Sequence, residues 1–290
     1  MIDAEDSFSA IIHWNNEHKK VVQVFSVFQI SLHKRDLPLL LQLQNYFGGI
    51  GFISKSKTQN IVKYSIKSIK DLTNILIPHF DKYPLLTQKS ANFILFKQIV
   101  ELIKNKEHLK LDGLHKIINI KASMNLGLSE VLKSNFIEFK PVDRPLILTN
   151  NIPNANWLSG FVSGEGNFDV SIIHNSKQKL GYQVKLRFRI SQDVRDLKLM
   201  ELLINYLGAG RIELNSSKSI VSLTIVKFSD LNNKIIPFLE KYPLQGVKIL
   251  DFLDFCAVAK LMNEGKHLTI EGLELIRTIK SKMNTSRKLE

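Results

Sequence analysis

The feature that most constrains this chain is that it is written twice. Residues 2–8, IDAEDSF, align with residues 162–168, VSGEGNF, which sets Glu5 against Glu165. The register then holds: Ile30-Ser31 and Arg35-Asp36-Leu37 meet Ile190-Ser191 and Arg195-Asp196-Leu197, and Tyr46 and Gly48 meet Tyr206 and Gly208. One residue is lost, after which Asp81-Lys82-Tyr83-Pro84-Leu85 meets Glu240-Lys241-Tyr242-Pro243-Leu244, and His108-Leu109 meets His267-Leu268. Both copies close on Met-Asn, at Met124-Asn125 and Met283-Asn284. A repeat of this length is a whole domain, not a solenoid unit, so the expected object is a monomer with pseudo-twofold symmetry that imitates a homodimer. The boundaries expected are 1–126 for the first half, 157–290 for the second, and an extended linker over 127–156, which carries Pro141, Pro145 and Pro153 and has no counterpart in the repeat.

Each half reads as helix, two strands, helix, two strands, helices, an α+β fold in which a four-stranded antiparallel sheet is backed by helices on one face. Residues 183–190 alternate strictly: Val184, Leu186, Phe188 and Ile190 lie on one face, with Gln183, Lys185, Arg187 and Arg189 on the other. The preceding strand sends Phe168, Val170 and Ile172 inward and Asn167, Asp169 and Ser171 outward, and a turn near Lys177 to Gly181 joins the two. Residues 196–207 have helical spacing, with Gly208 as the stop. A second hairpin is expected from Arg211 to Lys227, and helices over 231–239, 250–262 and 272–283.

Charge says what the outer face is for. With 40 Lys and Arg against 27 Asp and Glu, the chain carries a formal +13, which points to a polyanion, nucleic acid first. A Lys-rich composition inherited from an AT-rich genome is the alternative reading of charge alone. Long polar side chains on alternate strand positions can reach base edges in a groove, while Lys and Arg neutralise phosphates. The candidate DNA-contacting set in the first half is Ser7, Ser9, Ile11 and His13; Gln23, Phe25, Val27 and Gln29; and Lys55, Lys63, Ser65 and Lys67. In the second half it is Asn167, Asp169 and Ser171; Gln183, Lys185, Arg187 and Arg189; and Arg211, Glu213, Asn215, Ser222 and Thr224. An ordinary solvated face explains any one such strand equally well. Phe25 and Val27, exposed apolar residues suited to thymine methyl groups, favour DNA.

The lone Cys256 excludes an intramolecular disulfide and a cysteine-cluster zinc site, and its apolar neighbours mark it as a core thiol. No apolar run approaches a membrane span. The acidic N-terminus resembles neither a signal nor a transit peptide, so an organellar protein of this kind is expected to be made where it works.

Residues 157–166, WLSGFVSGEG, form a short apolar helix that ends in a carboxylate between glycines, and Gly160 and Gly164 lie on one face, where another backbone can approach. Two such helices packed at a pseudo-twofold axis would bring Glu5 and Glu165 together. Paired carboxylates call for a divalent metal, which can generate hydroxide at a phosphodiester and stabilise the leaving oxygen. A capping Glu beside a helix-terminating glycine is the plainer reading of either copy alone; its recurrence in register argues against that.

These residues resemble the double-motif LAGLIDADG homing endonucleases of organellar introns, especially the fungal mitochondrial group, and the resemblance extends over nearly the whole chain. It implies a monomer with two αββαββα halves forming a DNA-binding saddle, which cuts both strands of a long asymmetric double-stranded target across the minor groove with Mg²⁺, for which Ca²⁺ or Mn²⁺ can substitute in the site. It also implies a mitochondrial location and no membrane partner. By position, Glu5 and Glu165 match the metal-binding acids, with the carbonyls of Ala4 and Gly164 as co-ligands, and Gln192 and Lys227 match the solvent-organising polar and basic positions. In the first half Leu32 stands in place of Gln192, and Ser68, next to Lys67, in place of Lys227. Two departures set expectations. Met1 aligns with Phe161, so the first motif helix is clipped and an upstream start or a truncation is expected; and Asp6 replaces the glycine found at Gly166, where an added carboxylate would disturb metal placement or DNA approach. Two other functions share the scaffold: an RNA maturase that assists splicing of its intron, and a DNA-binding relative that does not cut.

Overall fold

A computed structural model describes residues 2–18 and 20–287. Its contacts divide the chain into two compact units, Glu5–Leu148 and Thr149–Glu290, the latter joined by the first residues through Ala4. The alignment of Met1 with Phe161 lies outside the described residues. In the unit Glu5–Leu148, strands β1 (Asp6–Asn15), β2 (Lys20–His33), β3 (Phe52–Lys55) and β4 (Ile61–Ile66) form an antiparallel sheet ordered β1-β2-β4-β3. In the other unit, β5 (Gly166–His174), β6 (Tyr182–Asp193), β7 (Arg211–Asn215) and β8 (Ile220–Ile225) repeat that order as β5-β6-β8-β7. Helices Leu37–Tyr46 and Leu197–Leu207 join the two hairpins of each sheet, and Lys89–Lys104 with Leu111–Ala122, or Lys248–Asn263 with Ile270–Lys280, follow them. This is the α+β arrangement that the alternation predicts.

Alternation decides which face of each sheet meets its helices. Val184, Leu186, Phe188 and Ile190 are all buried, as are Phe28, Ile30, Tyr64 and Ile66 in the first unit. Phe8 sits at the centre of one core, with the rings of Phe28, Phe80, Phe93 and Phe96 between 5.1 and 5.4 Å away. Phe168 holds the same place in the other, 5.2 Å from Phe188 and 5.4 Å from Phe252 and Phe255. Burying each such ring contributes about 1.5–3 kcal/mol, so these clusters fix the sheets on their helices.

The closing Met-Asn pair is a latch. Met124 and Met283 are buried, and the asparagine after each adopts a left-handed conformation, φ 48° at Asn125 and 56° at Asn284. From there each side-chain amide donates to the carbonyl of the central phenylalanine on an edge strand: Asn125 Nδ2 to Phe8 O at 2.8 Å and Asn284 Nδ2 to Phe168 O at 3.0 Å. Asparagine suits both demands, since it tolerates positive φ and carries the donor.

The expected linker is not wholly extended. Ser129 caps a short helix, Glu130–Asn135, by accepting from Leu132 N. Further on, the Arg144 guanidinium donates to Asn92 Oδ1, Ser123 O and Gln88 O at 2.8–3.0 Å, tying this segment to its own unit. No helix among the described residues is long and apolar enough to cross a membrane.

Candidate nucleic-acid interface and acidic motif

Each acid ends a helix and precedes an edge strand. Glu5 terminates the turn Ile2–Glu5, and Glu165 terminates the helix Ala155–Glu165, which Asn154 caps by accepting from Trp157 N at 2.8 Å. Both carboxylate residues are half-buried. Trp157 stacks on Phe161 at 4.9 Å and donates from Nε1 to Asp3 at 3.0 Å. Ser159 and Ser163 fasten the second motif helix to the segment after Tyr242: Ser159 Oγ donates to Pro243 O, and Gln245 N donates to Ser163 Oγ.

The residue after each acid explains the departure at Asp6. A side chain at Gly166 would place its Cβ 2.6 Å from the Val162 carbonyl oxygen, a clash with backbone. In that copy Lys248 Nζ donates to the carbonyls of Gly164 (2.5 Å) and Gly166 (2.6 Å). The repeat sets Lys89 opposite Lys248, and in the first copy this lysine pairs with Asp6, Nζ to Oδ1 at 3.3 Å, with the Asp6 side chain fully buried. The Asp6 carboxylate thus turns inward and faces a lysine.

The outward faces differ between the two sheets. In the second, Arg187 lies opposite Asp169 and reaches it at 3.2 Å, while Ser171 Oγ donates to the same Asp169 Oδ2 at 2.8 Å. Glu213 gathers three donors: Arg211 at 2.7 Å, Thr224 Oγ1 at 3.0 Å and Arg189 at 3.6 Å. Burial works to raise the Glu213 carboxyl, but the hydrogen bonds from Thr224 and Arg211 and the charges of Arg211 and Arg189 bring it below its ordinary value. Lys185, Asn167 and Asn215 are exposed and Gln183 is half-buried. In the first sheet, Ser7 and Ser9 share a hydrogen bond of 3.0 Å, Gln29 Nε2 donates to Ser31 Oγ at 3.0 Å, and His13 stacks near Phe25 at 5.8 Å. Gln23 is exposed, and Ile11 and Lys63 are half-buried.

Five sequence-based placements change. Val27 is only 5% exposed, so one of the two apolar contacts expected on the outer face is covered; Phe25 is half-buried beneath Lys67, whose Nζ lies 5.2 Å from its ring. Lys55 pairs with Val62, whose side chain is buried on the helix side, so Lys55 is on the opposite face from Lys63; Ser54 and Phe52 hold the outward positions instead. Ser65, Ser222 and Thr224 are buried, and the last two act by holding neighbours, Ser191 and Glu213. Gln192 lies within β6, paired with Val221, whose side chain is buried. Lys227 stands beyond β8, at the start of the turn Phe228–Asp230, and Ser68 does the same before Ile69–Asp71. Phe52 and Ser54 were missed, although the repeat register, which sets them against Arg211 and Glu213, held the signal.

Among the described residues no three His, Cys, Asp or Glu side chains cluster as a metal cage. A hard cation at a phosphodiester needs only one or two carboxylates, the remaining ligands coming from phosphate and water. Glu5 and Glu165 are each a half-buried oxygen donor at a helix end. The Gly164 carbonyl already accepts from Lys248, which leaves one lone pair for a cation. Gln192 Nε2 is buried without a hydrogen-bond partner.

Two helix-backed antiparallel sheets with polar outer faces, each preceded by a helix that ends in a glutamate, define a duplicated α+β protein of the nucleic-acid-binding kind. The chain belongs to the LAGLIDADG endonuclease family, whose model matches residues 1–100 and 158–259. It is 50% identical over 277 residues to the probable intron-encoded endonuclease 3 of Neurospora crassa; the match covers 95% of this chain and 52% of that protein, so the chain spans about half the length of this relative. Among solved structures, it is 44% identical to the LAGLIDADG homing endonuclease I-SmaMI bound to cleaved DNA, covering 99% of this chain and 95% of that one with a TM-score of 0.95. I-SmaMI bound to an uncleaved DNA target in the presence of calcium ions gives a TM-score of 0.94 over 98% and 96% of the two chains.

Proposed function

We propose that this chain is a site-specific endonuclease that acts as a monomer on a long asymmetric double-stranded DNA target, with a divalent cation, Mg²⁺ in the cell, and that it works in a fungal mitochondrion. The observation that carries the reading is the recurrence of a glutamate at a helix end, Glu5 and Glu165, each leading into the edge strand of a sheet whose far face is polar and basic. The DNA-bound and calcium-containing structures of I-SmaMI support it, as does the likeness to a fungal intron-encoded endonuclease.

In this reading the outward strands bind and orient the duplex, with Lys185 and Lys63 supplying positive charge at phosphates. Glu5 and Glu165 hold the cation, aided by the carbonyls of Ala4 and Gly164. The cation supplies Lewis acidity at the scissile phosphate. Gln192 and Lys227 hold and orient solvent near the reacting phosphate, and Lys67, placed over Phe25 and Phe52, is the basic residue nearest that position in the first half.

Cleavage of a plasmid library in Mg²⁺, wild type against Glu5→Gln and Glu165→Gln, tests this. Both substitutions are expected to abolish cutting while leaving DNA affinity within a few-fold. Undiminished cutting by both variants refutes the assignment of the acids, and tight binding of intron RNA without any DNA cutting would establish the maturase reading.

A further inference from the structure

We propose that the two sheets read different classes of base pair: the β5–β8 sheet selects guanine·cytosine pairs, and the β1–β4 sheet selects adenine·thymine pairs. This rests on the DNA-binding reading above and names what its two halves recognise.

Arginine is distributed unequally. The second sheet presents Arg187, Arg189 and Arg211 outward, whereas the only arginines of residues 5–148 are Arg35 and Arg144, neither on a strand. The repeat register shows the replacement position by position. Val27 stands for Arg187, Gln29 for Arg189 and Phe52 for Arg211, while Ser9 and Ser54 stand for Asp169 and Glu213. The guanidinium groups and their carboxylates are thus present together in one half and absent together in the other.

Phosphate neutralisation does not account for the acids. A carboxylate within 2.7–3.6 Å of each arginine weakens the attraction of that arginine for a phosphate. What it gains is geometry: a guanidinium fork held by a neighbouring carboxylate, across the strands for Arg187 and Asp169 and along β7 for Arg211 and Glu213, keeps its remaining N–H groups in one plane. In the major groove, guanine offers two acceptors, N7 and O6, and its cytosine offers a donor, N4–H. Fixed donors beside a fixed acceptor match that edge, and no other base pair presents the same order. The Nε of Arg187 and of Arg189 is buried, so only the terminal N–H groups can face a groove, and each side chain keeps about a third of its surface open, 38% and 33%. Arg189, Ser191, Glu213 and Ser222 also line a recess of about 550 Å³. On the first sheet, the side chains in those positions are a covered Val27, an amide, Gln29, which pairs with adenine N6 and N7, and an aromatic ring, Phe52, 45% exposed and suited to thymine methyl groups.

The test is selection of bound sequences from a randomised double-stranded DNA library by the full chain, repeated with Arg187→Lys, Arg189→Lys, Arg211→Lys, Asp169→Asn, Glu213→Gln and Gln29→Ala. Lysine keeps the charge and loses the fork, so each Lys variant is expected to lose guanine preference at one or two positions by about tenfold, with affinity for unrelated DNA unchanged. Asp169→Asn and Glu213→Gln should weaken preference at those same positions while tightening binding to unrelated DNA. Gln29→Ala should relax an adenine elsewhere in the site. Guanine missing from the positions that respond to Arg→Lys, or guanine preference unchanged in both acid variants, overturns the proposal. If DNA is retained in a salt-dependent way but no sequence is enriched, base reading fails and DNA binding stands; if no DNA is retained, the DNA-binding reading itself fails and this one with it.

Discussion

Asn284 offers the clearest measure of how each half fastens its helices to its edge strand. Its substitution separates two contributions. The side-chain amide donates to Phe168 O at 3.0 Å, in a partly buried setting, and a hydrogen bond of that kind contributes about 0.5–1.5 kcal/mol. The backbone φ of 56° adds a second contribution, because a residue with an ordinary Cβ pays about 1–2 kcal/mol in the left-handed region while glycine pays little. Asn284→Gly therefore removes mainly the hydrogen bond, an expected loss of about 1 kcal/mol. Asn284→Ala removes the bond and adds strain, an expected loss of about 2 kcal/mol, which for a chain of this size lowers the melting temperature by about 4–8 °C. Asn125, at φ 48° and 2.8 Å from Phe8 O, should give the same order. Urea unfolding followed by far-UV circular dichroism measures all four variants. Equal losses for alanine and glycine would show that conformation contributes nothing, and a loss below about 0.5 kcal/mol for both would show that the latch does not hold the chain.

Two further outcomes follow from titratable groups. Burial pushes the Cys256 thiol up to about 12, with the charge of Glu240 adding to the effect, so at pH 8 a thiol reagent should modify the native chain at least about tenfold more slowly than the urea-unfolded chain; comparable rates would contradict the burial. His79, packed against Tyr46, Phe47, Phe80 and Tyr83, is held below its ordinary 6.5 by burial, so the folded chain favours the neutral ring. The stability this contributes is complete above pH 6.5 and is lost as the pH falls below it toward the depressed folded value. His79→Phe should flatten the decline in urea midpoint between pH 6.5 and 5, and an unaltered slope would assign the decline to other groups.

Much of the architecture could be read from residue order because the two signals involved are local. Residues 183–190 alternate without exception, and the burial of Val184, Leu186, Phe188 and Ile190 follows from period two alone. The strand β3 was harder. Its four residues, Phe52 to Lys55, hold one polar pair at the end, and the lysine drew the outward assignment that belongs to Ser54. Only pairing with β4 settles which face a strand so short presents. Val27 was misjudged for a related reason: alternation places it on the outer face, but neighbours from other parts of the chain decide whether that place is open. At the acidic motif, the repeat located both glutamates, and the glycine at Gly166 made an aspartate at position 6 look intrusive. Its partner Lys89 is remote in sequence, and nothing local records that the two meet.

That lysine has a consequence for how the motif can drift. At Lys248 the ammonium serves as a hydrogen-bond cap for two carbonyls; at Lys89 it serves as a counterion. One cation with two possible employments lets the residue after the acid change from glycine to aspartate without stranding a charge, provided that the helix carbonyl leaves space for a Cβ. The two copies can therefore diverge at what looks like an obligatory glycine and keep the same backbone. A search for relatives that insists on glycine at that place would discard copies like the first one here, whereas a search that pairs the position with its distant lysine would retain them.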